Sequence, residues 1–226
     1  MKQRNSVRIL GGVIAAGTVI VLGAALAAPA NAEGAGSSNT SQPATSAACQ
    51  SQLATIAKSD PQFAIDHAGF CVGTVTTTNG VTQRETVAEA KADTSGMNAS
   101  AKSQIVAAAA AGAIYYQNWS QSYASAGVIL EKQTGKILFD GTYAWQRTYR
   151  GYYGSHTCHA AGSFAIGYTI TVDTSSCNDP VAAATATNTE RFDATLFWKG
   201  FPVTTTIEMY SRYTAAGVHT AWQVGG

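Results

Sequence analysis

The second half of the chain alternates apolar and polar residues with a period of two. The apolar positions are Phe164, Ile166, Tyr168, Ile170 and Val172; Phe192, Ala194, Leu196 and Trp198; Val203, Thr205, Ile207 and Met209; and Val218, Thr220, Trp222 and Val224. Successive side chains of a strand point to opposite faces, so this alternation predicts strands with one buried face. Such strands need a second layer that covers the apolar face.

Turn residues between the apolar runs predict hairpins. Lys132-Gln133-Thr134-Gly135 separates Val128–Glu131 from Lys136–Phe139, which predicts a hairpin with a four-residue turn. Lys199-Gly200-Phe201-Pro202 predicts a second turn between two alternating segments.

Short helices are predicted in the first half of the chain. Asp60 as N-cap and Pro61 at the first helical position divide residues 47–70 into two helical pieces. A later helix, capped by Asn98 or Ser100, is predicted to run through an alanine-rich stretch.

Residues 71–92 fit two interpretations. Asn79-Gly80 between β-branched runs favours a hairpin with a type I′ turn. Thr82-x-x-Glu85 fits a capping box that would open a helix through Ala92. The hairpin is the favoured interpretation, and whether 82–92 is strand or helix stays open.

These elements predict a mainly β protein: an antiparallel β-sandwich of about seven strands with short N-terminal helices, α+β overall. A small β-barrel is the alternative architecture. The predicted organisation is a signal peptide over residues 1–32, a flexible spacer over 33–46, a small helical and hairpin part over 47–114, and a β-sandwich domain over 115–226.

The N-terminus has the three parts of a secretory signal peptide. Lys2, Arg4 and Arg8 precede an uncharged run over Ile9–Ala28, and Ala30-Asn31-Ala32 offers a cleavage site after Ala32. The Gly- and Ala-rich signal sequence, polar spacer and Thr-rich strands resemble exported proteins of high-GC Gram-positive bacteria. The chain is therefore expected to be secreted and extracellular, with no membrane span once the signal is cleaved.

Charge and composition exclude some partners. The net charge is +1, and removal of the signal peptide would leave a slight acidic excess. A surface without basic excess predicts no nucleic-acid partner. Residues 33–46 hold too little apolar surface to fold, which predicts the spacer.

The four cysteines are expected to form disulfides, as is usual in exported chains. Three pairings are available to Cys49, Cys71, Cys158 and Cys177. The local pairing, Cys49 with Cys71 and Cys158 with Cys177, is favoured because each pair brackets one compact unit.

Candidate catalytic groups give only weak signals. His156-x-x-His159 has a spacing that suits zinc, but Cys158 between them is expected to be in a disulfide. The favoured interpretation is that both histidines lie at the surface beside that disulfide. No metal or cofactor is predicted. The chain has neither a Gly-x-Ser-x-Gly elbow nor a glycine-rich phosphate loop.

Carboxylates on the predicted strands and turns could form an acid–base pair. The candidates are Asp140, Asp173, Asp179, Glu190, Asp193 and Glu208. Their separation, which would decide a glycosidase mechanism, is not determined by the sequence. The favoured interpretation is that they are solvated strand-face and turn residues.

The segment from Gly141 to His159 has the richest mixture of aromatic and polar groups. Tyr143 and Trp145 are expected in the core, and Arg147 at its edge or paired with a carboxylate. Six residues beyond it are the predicted binding residues, because Tyr and Arg provide large contact areas and hydrogen bonds. They are Tyr149, Arg150, Tyr152, Tyr153, His156 and His159.

The leading hypothesis is a non-catalytic extracellular recognition module for a glycan, a cell-wall polymer or a protein. Whether the chain is an enzyme stays uncertain, and the sequence favours that it is not. One alternative is a secreted hydrolase that uses His156 or His159 with a carboxylate. Another is a small secreted inhibitor or toxin.

Overall fold

The computed structural model describes residues 38–147, 154–159 and 168–225. Over these ranges the protein is mainly β, with two antiparallel sheets and a few short helices, and no closed barrel is found. The predicted signal peptide lies outside the described residues. The predicted mainly β, two-layered architecture is confirmed.

Seven strands form the first sheet. They are β1 (Ser38–Thr45), β2 (Val72–Asn79), β3 (Gln83–Arg84), β4 (Tyr115–Ser125), β5 (Val128–Phe139), β6 (Ala144–Trp145) and β7 (Ser155–Thr157). Their order is β1-β2-β4-β5-β6, with β3 also paired to β4 and β7 to β5.

Four strands form the second sheet. They are β8 (Thr169–Asp173), β9 (Thr185–Trp198), β10 (Phe201–Thr214) and β11 (His219–Gly225), in the order β11-β10-β9-β8. The eleven described strands exceed the predicted seven or so, partly because short paired segments such as β6 and β7 lack a long alternating pattern.

Apolar faces of the two sheets pack against each other. Tyr123 and Leu130 of the first sheet share one buried cluster with Phe192, Ile207 and Met209 of the second. The alternation predicted for β9 and β10 is confirmed, since their even and odd positions, respectively, are buried. Burial of these side chains is the main favourable contribution to folding.

The helices are α1 (Ala47–Ile56), α2 (Pro61–Asp66), α3 (Val87–Asp93) and α4 (Ala99–Ala110). The predicted start of α2 is confirmed, because Asp60 accepts a hydrogen bond from the backbone N–H of Phe63. Asn98 is the N-cap of α4. None of the helices in the described ranges has the length and apolarity needed to cross a membrane.

Both disulfides have the predicted local pairing, Cys49 with Cys71 and Cys158 with Cys177. The first links α1 to the 3₁₀ turn Ala68–Cys71 that precedes β2, and each bridge closes a loop of about twenty residues. Such a bridge adds on the order of 3 kcal/mol by restricting the unfolded chain. Two disulfides are compatible with an extracellular protein.

The predicted flexible spacer is wrong for residues 38–45, which form β1. Every residue of β1 pairs with β2, so backbone hydrogen bonds order a segment with few apolar side chains. The sheet also crosses the predicted division between 47–114 and 115–226, because β2 pairs with β4.

The predicted hairpin at Asn79-Gly80 is wrong. Both edges of β2 are occupied, by β1 and β4, so the chain after Gly80 has no free edge of β2 to pair with. Gly80 instead donates its backbone N–H to the carbonyl of Asn118 on β4. Residues 82–92 contain the short strand β3 followed by α3.

The predicted capping box at Thr82 and Glu85 is also wrong. The capping box lies one turn later, where Thr86 is the N-cap of α3 and bonds reciprocally with Glu89. Glu85, which directly precedes this N-cap, is fully buried.

The predicted turn at residues 132–135 is wrong, because β5 runs through it without interruption. The actual turn is Ala126-Gly127, where both residues have positive φ. Gly135 lies where a side chain would not fit. An added Cβ would lie 2.6 Å from the carbonyl oxygen of Ser155 and 2.7 Å from the indole nitrogen of Trp119.

Trp145 is buried as predicted, but against α3 and α4 on the outer side of the first sheet rather than between the sheets. Tyr143 packs against the same cluster. Arg147 lies 3.5 Å from Asp179, which confirms that it pairs with a carboxylate.

Candidate functional site

The interface between the sheets is polar at its centre. Gln121 of β4 and Gln133 of β5 face inward from opposed positions and are fully buried. Gln133 donates to the side-chain oxygen of Gln121 at 2.7 Å. Glu131, the next inward residue of β5, and Glu190 of β9 are also fully buried. Buried polar groups are costly to desolvate, so this concentration distinguishes the region from an ordinary sandwich core.

His159 connects the two buried glutamates. Its backbone N–H donates to Oε1 of Glu190 at 2.7 Å, and its imidazole Nδ1 lies 2.8 Å from Oε2 of Glu131. The carboxylates are buried, whereas 60% of the His159 side chain is exposed. With Nδ1 held by Glu131, Nε2 is the nitrogen that can meet a substrate.

Two features of the chain position His159. The preceding segment is held by β7, which pairs with β5, and by the bridge from Cys158 to Cys177. His159 itself has φ of 50°, a left-handed conformation that is unusual for a residue with a side chain. Uncommon backbone conformations of this kind are concentrated at functional sites.

Burial raises the pKa of Glu190 to about 8. The backbone N–H of His159 opposes this shift, while the neighbouring Glu131 side chain adds to it. Two adjacent carboxyl groups cannot both ionise easily, so one retains its proton at neutral pH. Within the described ranges, the Oε2 atom of Glu190 has no hydrogen-bond partner.

A surface cleft of about 550 Å³ opens beside His159. Its walls are Cys158, His159, Ile170, Val172, Thr174 and Cys177. His159 is thus the residue that joins the exposed cleft to the buried carboxyl groups.

His156 lies in a different environment from His159. Its Nδ1 is 2.6 Å from the carbonyl oxygen of Asn178 and its Nε2 is 2.8 Å from Oε1 of Gln133. Burial lowers its pKa, although the Asn178 carbonyl and the charge of Asp179 oppose the shift. The prediction of two surface histidines is therefore wrong for His156. Its bond to Gln133 connects it to the buried Gln121–Gln133 pair.

The two histidines do not form a shared metal site. Ligand atoms of His156, Cys158 and Cys177 lie within 4.8 Å of one another, but the disulfide uses both sulfurs. Zinc binds the thiolate form of cysteine, so this group offers a single imidazole. His159 contacts Glu131 and Glu190 instead.

Four of the six predicted binding residues, Tyr149, Arg150, Tyr152 and Tyr153, lie outside the described residues. Their role in recognition stays a prediction, as do the inhibitor and toxin hypotheses.

Most of the candidate carboxylates are at turns or on outward strand faces. Asp140 accepts backbone hydrogen bonds at a turn, and Asp173, Asp193 and Glu208 are on outward positions of the second sheet. The prediction of a solvated side chain is wrong for Glu190, because its position on β9 faces the first sheet.

Sequence reasoning missed Glu131. The predicted turn at 132–135 ends the strand at Glu131, whereas in the structure Glu131, Gln133 and Gly135 share one inward face of β5. A signal was present in β4, where Trp119, Gln121 and Tyr123 alternate. Glutamine between two large aromatic residues on one face indicates a buried polar position.

Comparison with protein-family models, curated proteins and solved structures finds no significant match to this chain.

Proposed function

We propose that the protein is a secreted hydrolase that cleaves acyl bonds, with His159 as its catalytic residue. The observation that supports it best is the double contact of His159, which lines an exposed cleft while bonding to two buried glutamates. A base oriented by a second, buried group is a common arrangement in general-base catalysis.

In this mechanism Nε2 of His159 removes a proton from a water molecule as that water attacks the substrate carbonyl carbon. Glu131 orients the imidazole and stabilises the imidazolium that forms. The imidazolium then returns the proton to the leaving amine or alkoxide. Glu131 and Glu190 act as positioning residues, because neither is exposed to the cleft.

Glu190 controls the charge of the site. Its pKa of about 8 keeps it protonated at neutral pH, so it places no negative charge beside His159 there.

The test is hydrolysis of fluorogenic peptide amides and chromogenic esters between pH 5 and pH 9. We expect turnover by the wild-type protein and a loss of about 10²- to 10⁴-fold in kcat/KM in His159→Gln and Glu131→Gln. His67→Gln is the matched control, since His67 lies at the end of α2 and bonds to Phe63.

Absence of turnover on every probe, or full activity in His159→Gln, would overturn the proposal. Unfolding curves of each variant show whether a loss of activity comes from removal of the base or from unfolding of the protein.

A further inference from the structure

The outward face of the second sheet presents an exposed guanidinium between two carboxylates. Arg191 of β9 is opposed by Asp173 of β8 on one side and by Glu208 of β10 on the other. Arg191 and Asp173 are exposed, and Glu208 is half-buried. We call this row of three side chains and its surroundings the Arg191 face.

The three charges are not joined in ion pairs. Among the described residues, no salt bridge links Arg191 to Asp173 or to Glu208. Asp173 accepts hydrogen bonds from Ser175 instead, which lower its pKa. The guanidinium therefore keeps donors that can point to solvent, with acceptors on both sides of it.

Two shallow clefts of about 320 and 300 Å³ meet at Arg191. Thr204, Thr206 and Glu208 line the first, and Thr171, Asp173 and Asp193 line the second. Both clefts combine hydroxyl groups with carboxylate oxygens. The hydroxyl of Thr206 donates to Asp193 at 2.6 Å, which fixes the groups between the clefts.

A stack of planar groups borders this face. The ring of Trp222 on β11 lies 4.8 Å from that of Tyr210, and Arg212 lies 4.8 Å from the same indole. Trp222 is thereby held in one orientation. A rigid aromatic ridge offers contact area at low cost in conformational entropy.

The charges of the Arg191 face indicate which class of polymer it can bind. A polyanion would be repelled by Asp173 and Glu208, and a polycation by Arg191 and Arg212. A neutral polyhydroxylated chain can accept hydrogen bonds from the guanidinium and donate to the flanking carboxylates. We propose that the Arg191 face binds a neutral polysaccharide, one sugar unit in each cleft.

This site is separate from the proposed catalytic cleft, because His159 is not among the lining residues of either cleft. The proposal therefore does not depend on hydrolase activity. Binding can be measured without turnover.

The test is affinity electrophoresis of the whole protein in gels that contain laminarin, xylan, mannan or starch. We expect at least one polysaccharide to retard the wild-type protein, and Arg191→Ala to weaken that binding by about tenfold or more. Asp173→Asn should weaken it in the same gel. Lys199→Ala is the matched control, since Lys199 is an exposed cation at the turn of the same sheet.

His159→Gln should keep full binding if the two sites are independent. The proposal is overturned if none of the four polysaccharides retards the protein, if Arg191→Ala binds as the wild type does, or if only the polyanion polygalacturonate binds. The melting temperature of Arg191→Ala is measured as well. If it is close to that of the wild type, the loss of binding comes from the missing guanidinium and not from unfolding.

Discussion

Strand β5 passes through two buried charged clusters that differ in how their charges are balanced. At Lys136, the ammonium lies 3.1 Å from Oε2 of Glu85 and 2.6 Å from Oδ2 of Asp93. At Glu131, the neighbouring buried group is a second carboxyl group, Glu190. The first cluster pairs opposite charges, and the second brings together two acidic groups, of which Glu190 keeps its proton at neutral pH.

The difference separates a structural role, that of the Lys136 cluster, from the chemical role proposed for Glu131 and Glu190. The Lys136 cluster attaches α3 to the first sheet, and Tyr116 completes it with its ring 4.3 Å from the ammonium. Its neighbouring carboxylates raise the pKa of Lys136, although burial opposes this. No cation comparable to Lys136 is seen beside Glu131 and Glu190 among the described residues, and two buried carboxyl groups beside an exposed histidine are consistent with the proposed hydrolase.

The largest effect is expected from Lys136→Met. This change leaves Glu85 buried without its cation, which should lower the free energy of unfolding by about 3–5 kcal/mol in urea titrations. Lys58→Met is the control, because Lys58 is exposed at the end of α1. If Lys136→Met were as stable as the control, the cluster would not attach α3. Adding Glu85→Gln should restore part of the loss.

The second prediction concerns Glu190 and pH. Its pKa in the folded protein, about 8, exceeds its ordinary value of 4.5, so its contribution to stability is fully present below pH 4.5 and is lost as pH rises through 8. The slope is at most about 1.4 kcal/mol per pH unit in that window. Glu190→Gln should remove this pH dependence of the unfolding free energy, as measured by unfolding at several pH values.

His219 gives the opposite slope and must be separated from Glu190. Burial lowers its pKa to about 4, so its contribution is present above pH 6.5 and lost as pH falls toward 4. The difference in unfolding free energy between the wild type and Glu190→Gln at each pH reports the contribution of Glu190, since His219 is present in both proteins. Identical pH profiles for the two proteins would show that Glu190 titrates normally.

The smallest effect is expected from Arg147→Ala. Arg147 pairs with Asp179 at the surface, and 56% of its side chain is exposed. Exposed pairs contribute at most about 1 kcal/mol, so the free energy of unfolding should change by less than that. A larger loss would mean that this surface pair also supports the fold.

Local signals were sufficient for much of the fold. Asp60 and Pro61 specify the start of α2 by capping and by a fixed backbone angle, and the alternation of β9 and β10 identifies their buried faces. Both signals act within a few residues, which is why they can be recognised in a single sequence.

Partners distant in sequence determine the rest. Asn79-Gly80 has the local chemistry of a hairpin, but β4 occupies the edge that the hairpin would need. Glu131 and Glu190 meet only because the two sheets pack face to face, and no local pattern encodes that contact. The aromatic, Arg and His content of its segment predicts His159 as a site residue, but the sequence does not reveal its partners.

Gly135 offers a means of recognising the same site in other chains. Glu131, Gln133 and Gly135 occupy alternate positions of one strand, and the glycine is required because Trp119 and Ser155 fill the space of a side chain. A homologous protein that retains this interior should therefore show glutamate, glutamine and glycine at every second residue of one strand. That signature can be sought even where overall sequence similarity has disappeared.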